Sequence, residues 1–436
     1  MHPDQIKIFA GIDSPRLRYI AGIILGDILG LDWNIITDEK DIDNVPLINY
    51  SSKTIPGSFK IDPSPLLSET GISQTEISVS HWKGLPVFFE SKQDQDIPFD
   101  IFASSFYLVS RYEEYQGFIP DRHGRFAASL SLAFKKDFLN IPVVDLWAGE
   151  LAAELEKKYP HLAFSFSNYD ALLTIDSDQP FAYLGKGMIR SVGGFFKDFI
   201  SGVPAKAGER FRVLTHKEND PFEVYDYITG NIAENNTMAK FFFPVGRYSE
   251  YDKNPVWTNA RYRSLMKKLG ERYITGLHPS YYASDNVRKF RMEREWLSSI
   301  MGREIFQSRF HFIRMKMPGS YKMLAAEGIT EDYSMGYPDQ PGFRAGIARP
   351  YLFYDLTEEK QTSLKLVPFQ VMDATLVQYM NLDPQDAEEV ILKLINITRK
   401  AGGLFVSLWH NTILLNTPEW KGWRTLFEKV LDMQKP

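Results

Sequence analysis

A chain of 436 residues with 44% hydrophobic and 24% charged residues exceeds what one compact core ordinarily holds, so two domains are expected. Its formal charge of −5, with Lys and Arg mixed among Asp and Glu, leaves no basic stripe for nucleic acid and no polybasic patch for an anionic membrane. The sequence has no cysteine, which excludes disulfides, thiolate catalysis and Cys-ligated clusters, so any metal must be held by His, Asp or Glu.

The first residues, MHPDQIKIFAGIDSPRLRYIAGIILGDILGLDW, show neither the basic start nor the small-residue cleavage site of a secretory signal, and IAGIILGDILG is interrupted by Asp27 and too short to span a bilayer. A cytoplasmic location is the expectation. Residues 14–29 read as a helix, DWNIITD and LPVFFES as strands, and FDIFASSFYLVSRYEEY as a helix whose apolar residues, three and four apart, predict one buried stripe. VVDLWAGELAAELEKKYP is a second amphipathic helix, stopped by Pro160. The polar stretch 165–170 marks the expected boundary between a smaller mixed α/β domain, 1–165, and a second domain, 166–436.

Beyond that boundary come short continuous apolar runs separated by helical stretches, the pattern of parallel strands covered on both faces. The runs are ALLTID, AKFFFPVG, YITGLHPS, FQSRFHFI, ITEDYSMGY, LKLVPFQVMD and GGLFVSLWH, with helices such as NARYRSLMKKLGERY, ASDNVRKFRMEREWLSSIM and PQDAEEVILKLINITRKA between several of them. Seven β/α units predict a distorted (β/α)7 barrel. An open doubly wound sheet is the alternative, because periodicity does not show closure.

In either architecture, chemistry gathers where strands meet their following loops. The first run ends on Asp176 and Asp178, the third on His278, the fourth on His311, the sixth on Asp373 and the seventh on His410, while the fifth leads into GFRAG with Arg344. Of four histidines beyond the boundary, three fall on these ends. Carboxylates and imidazoles so placed can bind a metal or move protons, although a lone His there more often packs in the core and an Asp often caps the next helix.

The motifs TIDSD (174–178), HPS (278–280), FRAG (343–346) and LWH (408–410), in that order, resemble those of the polysaccharide deacetylase superfamily, the NodB-type carbohydrate esterases. With SRYEEY and HGRF in its first part, the chain is similar to a two-domain bacterial branch whose N-terminal domain has no assigned role. The resemblance implies metal-assisted removal of an N- or O-acetyl group from a carbohydrate, with zinc, or else cobalt or manganese, as the cation. It implies Asp176 as general base, Asp178 and His278 as metal ligands, Arg344 as the group that orients Asp176, His410 as general acid and Asp373 as the partner of His410. For Asp373, capping of the helix that follows is an equal alternative.

One position departs from the family pattern. The histidine expected four residues after His278 is Tyr282, and a phenol with a pKa near 10 is a poor ligand at neutral pH. His311, at the end of the neighbouring strand, is the expected third ligand; a weak or empty site on a catalytically silent carbohydrate-binding or scaffold protein is the alternative. YLGKGMIRSVGG lacks the spacing of a P-loop and reads as a rim loop. Tyr281, Tyr282, Tyr337 and Trp409 are candidates for stacking on sugar rings, and the EREW and AEEV runs read as solvated helix faces.

Overall fold

The computed structural model describes residues 4–91, 95–184, 204–215 and 217–436; the expected rim loop at 183–194 lies almost wholly outside them. The chain opens with parallel strands β1 (Gln5–Ala10), β2 (Asp32–Ile36), β3 (Leu47–Tyr50) and β4 (Phe59–Lys60), in the order β2-β1-β3-β4. Between β1 and β2 runs helix α1 (Pro15–Ala21), continued by a π-helical segment (Gly22–Ile28). Ser14 caps it, accepting from the Leu17 N–H, and Pro15 stands at its first turn, as its fixed φ and missing N–H favour. Gly22 and Gly26 let Trp33 lie against this helix: a Cβ on Gly26 would stand 3.2 Å from the indole nitrogen.

A hairpin, β5 (Ser80–Trp82) and β6 (Leu85–Val87), turns through Lys83 and Gly84, both at positive φ, which matches the twist of a two-residue hairpin. Helix α2 (Ile101–Val109) then departs from expectation: every residue in it is buried, so it is a core helix rather than one with a single buried stripe. It ends where Arg111 turns left-handed. Helix α3 (Val143–Lys158) stops just ahead of Pro160.

The larger sheet contains β7 (Asp170–Asp176), β8 (Ala239–Phe243), β9 (Ile274–Leu277), β10 (Gln307–Ser308), β11 (Glu331–Asp332), β12 (Tyr351–Asp355), β13 (Lys360–Leu366), β14 (Val371–Met372) and β15 (Leu404–His410). Its order is β12-β13-β11-β10-β9-β8-β7-β15-β14, parallel throughout except that β12 runs antiparallel to β13. All seven apolar runs become strands, covered by helices that include α4 (Ala260–Gly270), α5 (Val287–Met301), α6 (Pro384–Lys400) and α7 (Lys421–Met433). The ladder is open, however, not the closed barrel expected. The sixth run breaks between β13 and β14: β13 pairs with β11, while β14 pairs with β15. Pro368 sits in the break, where a residue without an N–H cannot extend a ladder.

The register brings the strand ends to one edge. His410 lies opposite Asp176, and Asp176 opposite Phe242. The N-terminal part is not packed away from this sheet. One continuous apolar core contains Ile8, Phe106 and Trp147 together with Ile175, Phe241 and Phe405. Across it the Asp145 carboxylate holds Arg349 at 2.6 Å, and the Val144 N–H donates to the Gly346 carbonyl. No helix among the described residues is long and apolar enough to cross a membrane.

Candidate metal centre and active-site cleft

At the carboxyl edge of the larger sheet lies a cleft of about 220 Å³ whose walls include Asp176, Asp178, His278, His311 and His410. β7 delivers Asp176 as its last residue, and the chain turns through Ser177, whose N–H donates to the Phe242 carbonyl, to present Asp178. His278 follows β9 directly. His311 opens a short turn after β10 in which Phe312 and Ile313 both take positive φ, a conformation that stores backbone strain in non-glycine residues.

Three imidazoles converge on Asp178. His278 Nε2 lies 3.1 Å from Oδ1, while His311 Nε2 and His410 Nε2 lie 3.5 and 3.7 Å from Oδ2. Each ring is fixed from behind through Nδ1: His278 on the Arg309 carbonyl at 2.6 Å, His311 on Asp252 at 3.0 Å and His410 on Asp373 at 2.6 Å. These partners only accept, so Nδ1 carries the proton and Nε2 faces the cleft, the arrangement typical of metal-ligating histidine.

Asp178, His278 and His311 each offer one ligand atom, all within 4.8 Å of one another. His278 Nε2 and Asp178 Oδ1 are buried and lack a hydrogen-bond partner in the protein, which a buried polar pair rarely tolerates. Bonds of about 2.0–2.2 Å in a tetrahedral site put ligand atoms roughly 3.3–3.6 Å apart, near the 3.1 and 3.5 Å that separate His278 and His311 from the two Asp178 oxygens. The donor set therefore fits a divalent cation. Burial works against the Asp178 carboxylate, but His311, His278 and His410 outweigh it and hold its pKa well below the usual carboxylate range. In the metal-free protein burial likewise opposes charge on His311, and Asp178 with Asp252 overrides it, pushing the imidazole up to about 10, so a cation would bind there by displacing the Nε2 proton. For His410, burial is overcome chiefly by Asp373, and the ring is pushed up to about 9.

Arg344 is not beside Asp176. Its guanidinium is buried on Glu114, with Nη2 2.7 Å from Oε2, and also donates to the Gly336 carbonyl. The cation on Asp176 is Arg309, whose Nη1 lies 3.1 Å from Oδ1 and 2.8 Å from the Thr174 hydroxyl, with the guanidinium 4.7 Å above the Phe242 ring. Arg309 and His311 stand two apart on the β10 run, and that spacing puts both on one face of an extended chain; this was the signal available in the sequence. Asp252, in the loop after β8, carried no such signal.

Of the two roles weighed for Asp373, the geometry shows the partner of His410: its carboxylate accepts from the His410 N–H and His410 Nδ1, and also from the adjacent Ala374 N–H, while the helical segment that follows has no side-chain cap. Tyr282 is outside the cleft, 41% exposed and bonded to Glu250. Tyr281, Tyr337 and Trp409 are buried, so packing, not sugar stacking, explains them. The aromatic side chains that line the cleft are Tyr251, Phe310, Phe312 and Tyr379. Arg125, from the HGRF stretch of the N-terminal part, also lines it, held by Asp121 and the Phe312 carbonyl.

A family of unknown function (DUF7033) matches residues 6–160. No curated protein matches the chain. Among solved structures, the chain is similar to a putative polysaccharide deacetylase from Mycobacterium smegmatis, at 16% identity over 61% of this chain and 85% of that one, with a TM-score of 0.40. It is similar to a probable polysaccharide deacetylase from Pseudomonas aeruginosa PAO1, at 11% identity over 60% and 83%, TM-score 0.39. It is also similar to a CE4 family pseudoenzyme from Bacillus anthracis, at 9% identity over 62% of each chain, TM-score 0.30.

Proposed function

We propose that the protein is a metal-dependent hydrolase that removes an acetyl group from a carbohydrate by cleaving an amide or ester bond. The observation that carries this reading is the Asp178–His278–His311 group, in which two facing, buried ligand atoms have no partner in the protein. On this reading residues 166–436 form the catalytic unit, built on the open, mostly parallel sheet whose ladder is interrupted at the sixth run, and residues 1–165 form an α/β domain packed against it.

A divalent cation held by Asp178, His278 and His311, zinc first and otherwise cobalt or manganese, would polarise the acyl carbonyl and acidify bound water. Asp176 takes the proton from the attacking water, with Arg309 fixing the direction of its carboxylate. His410, kept cationic by Asp373, gives a proton to the leaving nitrogen or oxygen as the bond to the acyl carbon breaks. The cleft holds little beyond the reacting unit, so the rest of a longer saccharide lies along the open side near Tyr251 and Tyr379.

Metal analysis after mild dialysis tests the proposal. Wild type is expected to retain about one divalent ion per chain, His311→Ala to lose it, and acetate release from acetylated sugars to follow the metal. A wild type that takes up no zinc, cobalt or manganese would overturn the reading and leave a silent carbohydrate-binding scaffold on the same sheet.

A further inference from the structure

The N-terminal sheet carries a second cavity, unconnected with the metal centre. Its order, β2-β1-β3-β4, means that the chain leaves β1 towards β2 on one side and then crosses to β3 on the other. The loops after β1 and β3 therefore part company at the carboxyl ends of neighbouring strands. In open parallel sheets this is where a crevice opens and where ligands bind. A cavity of about 440 Å³ lies there, within the size range of small-molecule sites. It is built from the residues that follow β1, β2, β3 and β4.

Its chemistry narrows the ligand. Lys53 carries the only charge among the described lining residues, and it pairs with Glu39 at 2.5 Å. A phosphate or carboxylate would have to compete with that exposed pair for the single cation, and an amine would find no carboxylate among the lining residues. The walls instead offer hydroxyls over an apolar floor. Ser14 and Ser51 are committed within the protein, to the Leu67 carbonyl and to Asn49. Ser64 is likewise committed, through its backbone N–H and its side chain, to the buried Asp100 carboxylate. Thr37 and Ser52 make no side-chain hydrogen bond among the described residues. Leu17 and Leu67, both buried, form the floor.

We infer that this crevice binds an uncharged polyhydroxylated molecule of sugar size, whose ring face rests on Leu17 and Leu67 and whose hydroxyls meet Thr37 and Ser52. The inference is independent of the hydrolase reading, because no residue of the cleft takes part.

The test uses the full chain. Glucose, N-acetylglucosamine and inorganic phosphate are titrated separately, with ligand-observed NMR as the readout, into wild type, Gly11→Leu and Ser52→Ala. Gly11 lines the crevice, is not at positive φ, and a Cβ there would meet nothing within 4 Å, so leucine fills the space without disturbing the fold. Binding of at least one sugar by wild type, weakened about tenfold or more in Gly11→Leu and measurably in Ser52→Ala, with thermal unfolding and metal content unchanged, is the expected result. No binding of either sugar, binding of phosphate alone, or sugar binding indifferent to both substitutions would overturn it; the last result would assign the sugar to the metal cleft. Metal content is read in the same samples, so failure of the hydrolase reading shows separately.

Discussion

Arg309 and Arg344 are both buried guanidiniums bonded to carboxylates, yet they serve different ends. Arg309 meets Asp176 inside the cleft edge, whereas Arg344 meets Glu114, which Arg111 also holds. Arg309→Met is therefore expected to lower acetate release by about 100-fold, since a proton acceptor turned out of line loses rate of that order, while metal content stays unchanged. Arg344→Met is expected to leave acetate release per folded chain unchanged; like the loss of Arg309 it leaves a carboxylate, here Glu114, buried with one cation fewer, at a cost of roughly 3–5 kcal/mol, read as a lower denaturation midpoint. The opposite pattern would return the orienting role to Arg344. The sequence suggested Arg344 because FRAG resembles the arginine motif of the polysaccharide deacetylases. It could not show that this stretch faces the N-terminal part, since Glu114 is 230 residues away along the chain. The strand-end histidines were legible because their positions follow from where short apolar runs stop. Asp252 was not, because nothing local distinguishes one loop aspartate from another.

At the scale of elements, legibility followed local physics. α4, α5 and α6 begin at Asn259, Asn286 and Asp383, each of which accepts from a backbone N–H of the first turn, and such caps can be read from sequence. Asp383→Ala is expected to cost about 1 kcal/mol, measurable by denaturant unfolding. The failures also have causes. α2 was read as half-exposed because periodicity reports a stripe, not what covers the opposite face. The open ladder depends on two different partners for one run, which no period encodes. β11 ends on Asp332, whose buried carboxyl is pushed up to about 7 by desolvation against its bonds to Ser334. Burial also raises Glu293 to about 7 and Asp100 to about 6. A carboxyl whose folded pKa is raised contributes stability that is complete below its unfolded pKa near 4 and is lost as pH rises through the folded value. The metal-free protein should therefore lose thermal stability between about pH 4 and pH 7. Asp332→Asn should flatten that slope, by a few kcal/mol at most; an unchanged slope would place the dependence elsewhere.

For the whole molecule, composition suggested two separable domains, with a boundary at 165–170, and the structure joins what that division separates. Arg16 from α1 pairs with Glu359 beside β13, and the Tyr19 hydroxyl donates to the Leu352 carbonyl of β12. The connecting segment itself is gripped on both sides, since a Cβ on Gly30 would stand 2.6 Å from the Ser165 carbonyl oxygen and one on Gly402 2.5 Å from that of Ser167. Cutting there would expose apolar surface of the common core and leave Arg344 and Arg349 without Glu114 and Asp145. Arginines that lose buried carboxylate partners are strongly destabilising, and the exposed core removes burial worth about 25 cal/mol per Å². Residues 166–436 expressed alone are therefore expected to retain helical content but to unfold without a sharp transition and to bind a hydrophobic dye, whereas the full chain should unfold in one cooperative step followed by both near- and far-ultraviolet circular dichroism. A sharply unfolding fragment with full metal content would show that residues 1–165 merely accompany the larger sheet and its metal-ligand cluster. The expected loss would show instead that they complete its core and, through Arg125, one wall of its cleft.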